Sequence, residues 1–147
     1  MPLIVHAPAK LNLDLRILGR RIDGFHDLQT LLQSIALHDT LIFTRCRGPM
    51  TVGSQSSGVP TDKKNIVWRA AKVLWREIGR QGDPKGVAIS ITKRIPMAAG
   101  LGGGSSDAAA ALRGLCSLWE VSPSGKRLRE LAASVGSDVP YFLIGGL

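Results

Sequence analysis

The stretch PMAAGLGGGSSDAAAAL, Pro96 to Leu112, constrains this chain more than any other. Four of the five residues from Gly100 to Gly104 are glycine, and the run opens directly into alanines. Glycine there loses chain entropy and offers no side chain to pack, while the alanines favour a helix. Upstream, VAISIT (87–92) alternates, with Val87, Ile89 and Ile91 on one face, and predicts a strand. The local order is therefore strand, bare loop over 96–104, and helix from about Ser105. A helix N-terminus leaves amides unpaired and carries positive partial charge, so it attracts phosphate. Glycines let a phosphate chain approach the main chain, and the Ser105 and Ser106 hydroxyls could cap the helix, touch a phosphate or ligate magnesium. The alternative is a turn whose glycines only permit tight helix–strand packing. Two familiar phosphate loops are excluded. A Walker A motif needs lysine after its last glycine, where this chain has Ser105, and the dinucleotide fingerprint needs a third glycine at that same position.

At 147 residues, 44% hydrophobic and 20% charged, the chain can bury a core as one domain. No apolar run approaches the ~20 residues of a membrane span, and MPLIVHAPAK lacks the basic region of a signal peptide. Cys46 and Cys116 lie far apart without a CxxC partner, which suits a reduced, cytoplasmic setting. His6, His26 and His38 show no metal-ligand spacing, so no structural metal is assigned. The formal net charge of +8 favours anionic partners, whether nucleic acid, a membrane surface or phosphorylated small molecules. A solvated basic surface explains it equally well.

Along the chain, AKLNLDLRIL (9–18) alternates, with Leu11, Leu13, Leu15 and Ile17 opposite Lys10, Asn12, Asp14 and Arg16, and predicts a half-buried strand. GRRIDGFHD is a loop. LQTLLQSIAL and DTLIFTRC are apolar segments, the second a strand, and 48–64 reads as loop with at most a short strand. A helix is expected from Asn65 as N-cap, burying Val67, Ala70, Ala71, Leu74 and Ile78, with Trp68 and Trp75 in the core. GRQGDPKG is a turn. The helix after the glycine loop buries Ala108, Ala111, Leu112, Leu115 and Trp119. A last helix lies within 122–136, with Gly136 as its cap, and an apolar strand begins at YFLIGGL. The class is α+β without regular βαβ alternation.

The glycine motif closely resembles the central ATP-binding motif of the GHMP kinases. Three further stretches resemble the family of 4-diphosphocytidyl-2-C-methyl-D-erythritol kinases: APAKLNLDLRILGRRIDGFHDLQTLLQ (7–33), NIVWRAA (65–71) and GSDVPYFLIGG (136–146). The resemblance implies that residues 1–147 form the N-terminal, ATP-binding domain. That domain is of a ribosomal-protein type, a mixed sheet packed on helices with a left-handed βαβ crossover. Relatives run to about twice this length, with a second domain that caps the substrate and is absent from this chain. The implied activity is ATP-dependent phosphorylation of the 2-hydroxyl of the cytidine-diphosphate sugar alcohol in non-mevalonate isoprenoid synthesis, with ATP and Mg2+ as cofactors. The isolated piece is expected to be poorly active.

By the same resemblance Asp138 is the general base, and Lys10 pairs with it and stabilises charge on the transferring phosphoryl group. Read without it, Asp138 caps a short helix and Lys10 is a solvated strand residue. Phe25 would stack on the cytosine and His26 bond its edge, with Asn12 on the sugar-diphosphate; many relatives have tyrosine in place of Phe25. Asn65, Ile66, Lys93 and Met97 would lie near the adenine. Pro96, Ala98 and Ala99 lead into Gly100, Leu101, Gly102, Gly103, Gly104, Ser105 and Ser106 around the phosphates, with Ser106 a possible magnesium contact. Asp107 stands where some relatives have asparagine, and its role is open. Two rivals remain: a mevalonate- or homoserine-type kinase, whose substrates carry no base to stack, and a basic, non-catalytic nucleic-acid-binding module. Against the latter, the basic residues lack interleaved exposed aromatics. No nucleic-acid or membrane partner is expected, and oligomeric state is not legible.

Overall fold

Period-two alternation carries the first two strands further than the sequence alone suggests. In the computed structural model, which describes residues 1–145, β1 runs from Leu3 to Arg20 and β2 from His26 to Pro49. They pair antiparallel along all of β1, from Leu3↔Phe43 to Arg20↔His26, with register shifts on the way. The remaining elements are β3 (Thr51–Ser54), α1 (Ile66–Glu77), β4 (Lys85–Thr92), α2 (Gly103–Leu118), α3 (Gly125–Val135) and α4 (Val139–Ile144). The sheet order is β1-β2-β4-β3. β4 is antiparallel to β2 and parallel to β3, so the sheet is mixed and β3–α1–β4 forms a parallel crossover unit.

β4 meets β2 only from Thr40 onward, and that limit decides where the core lies. Ala7, Leu41, Phe43, Val87, Ile89 and Ile91 are buried in one core cluster with α2, whose alanines 108–111 are fully buried. α2 packs on β1 and β2, α1 and α4 pack on α2, and α3 on α1 and α4. Trp75 and Trp119 meet edge to face at 5.0 Å, closing the far end of the core as the spacing of α1 implied. On the turn side of Thr40 the hairpin extends past β4, and among the described residues no layer buries it there. Leu11, Leu13, Leu15 and Ile17 are therefore 41–68% exposed, so the expected half-buried face is uncovered in this chain.

Local chemistry explains the helix ends. Asn65 caps α1 as expected, its Oδ1 accepting the Val67 amide at 2.9 Å. Ser124 caps α3 through the Arg127 amide at 3.1 Å, and Gly136 ends it. Over Tyr141–Ile144 the expected strand at YFLIGGL is instead part of α4, and Pro140 in its first turn favours helix entry. Gly146 and Leu147 lie outside the described residues. No described helix is long and apolar enough to cross a membrane.

Candidate nucleotide site

The glycine loop turns on residues that only small side chains tolerate. Ala98, Gly100 and Gly102 have φ of 58°, 74° and 70°, so every second residue is left-handed. That alternation is how a main chain builds an anion-binding concavity. Gly102, rather than Ser105, is the N-cap of α2, and it makes no side-chain cap. The first intrahelical bond runs from the Ser106 amide to Gly102 O at 2.9 Å. The amides of Gly103, Gly104 and Ser105 therefore have no partner within the helix. A serine cap would have consumed one of them; the glycine leaves all three for a ligand.

Around this turn lies an open cavity of about 440 Å³. Its walls include Asn65, Ile66, Lys93, the loop from Pro96 to Ser105, and Asp107. Nearly all the predicted nucleotide residues thus converge. Ser106 does not line the cavity: it is fully buried, and its hydroxyl has no partner. Val59, Pro60 and Lys64 also line the space and were not foreseen. They come from the Gly/Ser/Pro-rich stretch, which has no periodicity to place it. Asn65 Nδ2 donates to Pro60 O at 2.7 Å, so one side chain both caps α1 and holds that stretch against the cavity.

Lys10 is built into the loop. Its amide donates to Leu101 O at 2.9 Å, beside a register shift between Pro8 and Lys10. Bulges commonly re-aim the chain next to functional sites. A β-carbon on Gly102 would stand 3.1 Å from Lys10 Cγ and 2.7 Å from the Phe142 ring. Only 7% exposed, Lys10 is not a solvated strand residue, and its Nζ donates to Asn12 Oδ1 at 2.8 Å. The expected Lys10–Asp138 ion pair is not present among the described residues; Asn12 takes the ammonium instead. Asp138 is exposed at the N-cap of α4 and makes no capping hydrogen bond. It sits one turn before Phe142, the residue that packs on Gly102.

Behind the loop lies a buried ion cluster. Lys93 Nζ reaches Asp39 Oδ2 at 2.5 Å and Asp107 Oδ2 at 2.8 Å. Burial opposes the Lys93 charge, yet the two carboxylates outweigh it and its pKa rises. Burial pushes Asp107 up to about 7 despite Lys93 beside it. Asp107 Oδ1 has no partner. Lys93, expected beside the adenine, does line the cavity, but its ammonium is committed to this cluster. Sequence reasoning missed Asp39; an acid opening an apolar strand was its one trace. Phe25 and His26 stand exposed at the turn end of the β1–β2 hairpin and line no described cavity.

Mixed sheet, parallel crossover and open amides at a helix start together define an α+β domain with a candidate main-chain anion site. Residues 65–146 match the family model for the GHMP kinases N terminal domain, and the chain belongs to that family. Among its relatives, the 4-diphosphocytidyl-2-C-methyl-D-erythritol kinase of Bacillus pumilus is 46% identical over 99% of this chain and 50% of its own length. The protein of that name from Pelotomaculum thermopropionicum is 48% identical over 95% of this chain and 48% of its own. A crystal structure of 4-(cytidine 5'-diphospho)-2C-methyl-D-erythritol kinase superposes with a TM-score of 0.79 at 39% identity, covering 97% of this chain and 49% of that one. The chain spans about half the length of the curated relatives it matches.

Proposed function

We propose that this chain is the ATP-binding half of a cytoplasmic kinase that phosphorylates the 2-hydroxyl of 4-diphosphocytidyl-2-C-methyl-D-erythritol. The observation that carries the reading is the bond from the Lys10 amide to Leu101 O, which anchors a buried lysine to a loop whose next amides are open. Phosphoryl transfer needs positioning and charge neutralisation more than covalent help. The Gly103–Ser105 amides would hold the phosphates, Ile66 and Met97 the adenine, and Lys10 the charge that develops in transfer. Asp138 would take the proton of the acceptor hydroxyl, since its carboxylate is exposed and makes no capping bond.

Magnesium would take oxygen donors at the start of α2, as hard cations do. Asp107 Oδ1 is unpartnered on a cavity-lining residue, whereas Ser106 Oγ is unpartnered but buried away from the cavity. When bound there, the ion would neutralise phosphate charge. The half of the relatives' length outside this chain would cover the apolar side chains exposed on the hairpin and bring a substrate against Phe25, His26 and Asn12.

Thermal stabilisation tests the reading at fixed salt. Magnesium-ATP and CDP are expected to raise the melting temperature, and single-stranded RNA is not. RNA stabilising strongly while both nucleotides do nothing would favour a nucleic-acid module and sink the kinase. A coupled assay for ADP on a protein carrying the remaining half, with the cytidyl sugar alcohol against mevalonate and homoserine, identifies the acceptor.

A further inference from the structure

Asp39 ends the part of β2 that pairs with β1 alone, and its side chain is fully buried. A carboxylate so placed must be paired, because an isolated buried charge is very unfavourable. Its partners all come from one short segment. Oδ1 accepts the main-chain amides of Arg94 at 2.6 Å and Ile95 at 2.9 Å, and Oδ2 accepts Lys93 Nζ. Lys93 then reaches Asp107 in the first turns of α2, and a β-carbon on Gly103 would lie 3.3 Å from its Nζ. One carboxylate thus ties β2 to the end of β4, to the entry of the glycine loop and, through Lys93, to the start of α2.

Stability alone does not call for such a cluster, since apolar side chains of similar volume often pack as well or better. Directed bonds to two consecutive amides and an ammonium supply something apolar packing lacks, a fixed orientation. The open amides of Gly103 to Ser105 form a cradle only while the first turn of α2 holds its place relative to the loop. Donors held in place before binding avoid the ordering cost at binding. Lys93 and Asp107 line the cavity and Asp39 does not, so Asp39 can act only through its partners.

We propose that Asp39 is a positioning residue for nucleotide binding: it fixes residues 93–95 and, through Lys93, the start of α2, so the phosphate cradle stands formed before its ligand arrives. This rests on the nucleotide reading above.

Asp39→Asn is the sharpest test. The amide oxygen can still accept from Arg94 and Ile95, but its NH₂ would face the Lys93 ammonium, donor against donor. Calorimetry with magnesium-ATP should show affinity about tenfold weaker or worse, the loss of one charge-assisted tie. Amide hydrogen exchange at 100–106 should quicken with no ligand present. Leu131→Ala, a core truncation on α3, serves as the stability control and should keep wild-type affinity where it is folded. Asp39→Glu keeps the charge but shifts it by one methylene, giving a second arm if the asparagine variant does not fold; it should also bind more weakly. Wild-type affinity in either Asp39 variant, or an equal loss in Leu131→Ala, overturns the positioning role while the nucleotide reading stands. Wild-type protein that fails to bind magnesium-ATP removes both.

Discussion

Gly114 of α2 lies against the ring of Phe43 on β2, so closely that a β-carbon on Gly114 would stand 2.5 Å from the ring's Cζ. The helix approaches the sheet at that point because one residue has no side chain. Gly114→Ala gains about 1 kcal/mol of helix propensity but must displace a fully buried aromatic, and overpacking costs roughly 1–3 kcal/mol. The clash wins, because three ring atoms fall within 3.0 Å and Phe43 has nowhere exposed to go. Urea unfolding should show a lower midpoint; an unchanged or higher one means the helix shifts freely.

Gly102 carries two constraints at once. Its φ of 70° disfavours any side chain, and a β-carbon would meet Phe142 and Lys10. Gly102→Ala should lose about 1–3 kcal/mol of stability from backbone strain and weaken magnesium-ATP binding measured by calorimetry. Equal nucleotide affinity in the folded variant would mean that the loop's shape is not the binding determinant.

Asp138→Asn, in a protein that includes the remaining half of the relatives' length, should lower kcat by about 10²–10⁴-fold, the usual range for a lost general base. The KM for ATP should change little, because Asp138 does not line the nucleotide cavity. Near-normal turnover in steady-state assays would assign the proton to another acceptor.

Asp107 makes stability depend on pH in a direction opposite to that of an ordinary salt-bridged acid. Its pKa rises from 3.8 to about 7 on folding. Between those values the folded chain holds a proton the unfolded chain has released, so stability falls as pH rises through the window. It is greatest below the unfolded value and levels off above the folded one. Chemical denaturation from pH 4 to 8 should show that slope, and Asp107→Asn should flatten it. An identical slope in the variant would place the titration elsewhere.

The long-range placement of Asp39 marks where reading the chain ran out. Asn65 as a cap, Val87–Ile91 as a strand face, and the helix after the glycines were all legible, because each depends on neighbours within a few residues. The extent of the hairpin was not: the alternation of Leu11 to Ile17 predicts a buried face, but burial needs a layer packed over that face, and on the turn side of Thr40 the described residues supply none. The start of α4 was legible as a short helix capped at Asp138, but YFLI is apolar either way and was read as strand; in the structure it is helix, with Phe142 packed on Gly102.

A bare turn before an alanine-rich helix was legible in residues 96–112 alone, and with it the expectation of a main-chain anion site. Glycine and alanine act through local backbone freedom, so their effect is written in adjacent residues. What stands around that turn was not legible along the chain: Lys10 bonded to Leu101 from the first strand, and Lys93 held between Asp39 and Asp107. Those contacts join residues far apart in the chain, and no spacing encodes them. Packing of the sheet against α2 creates them.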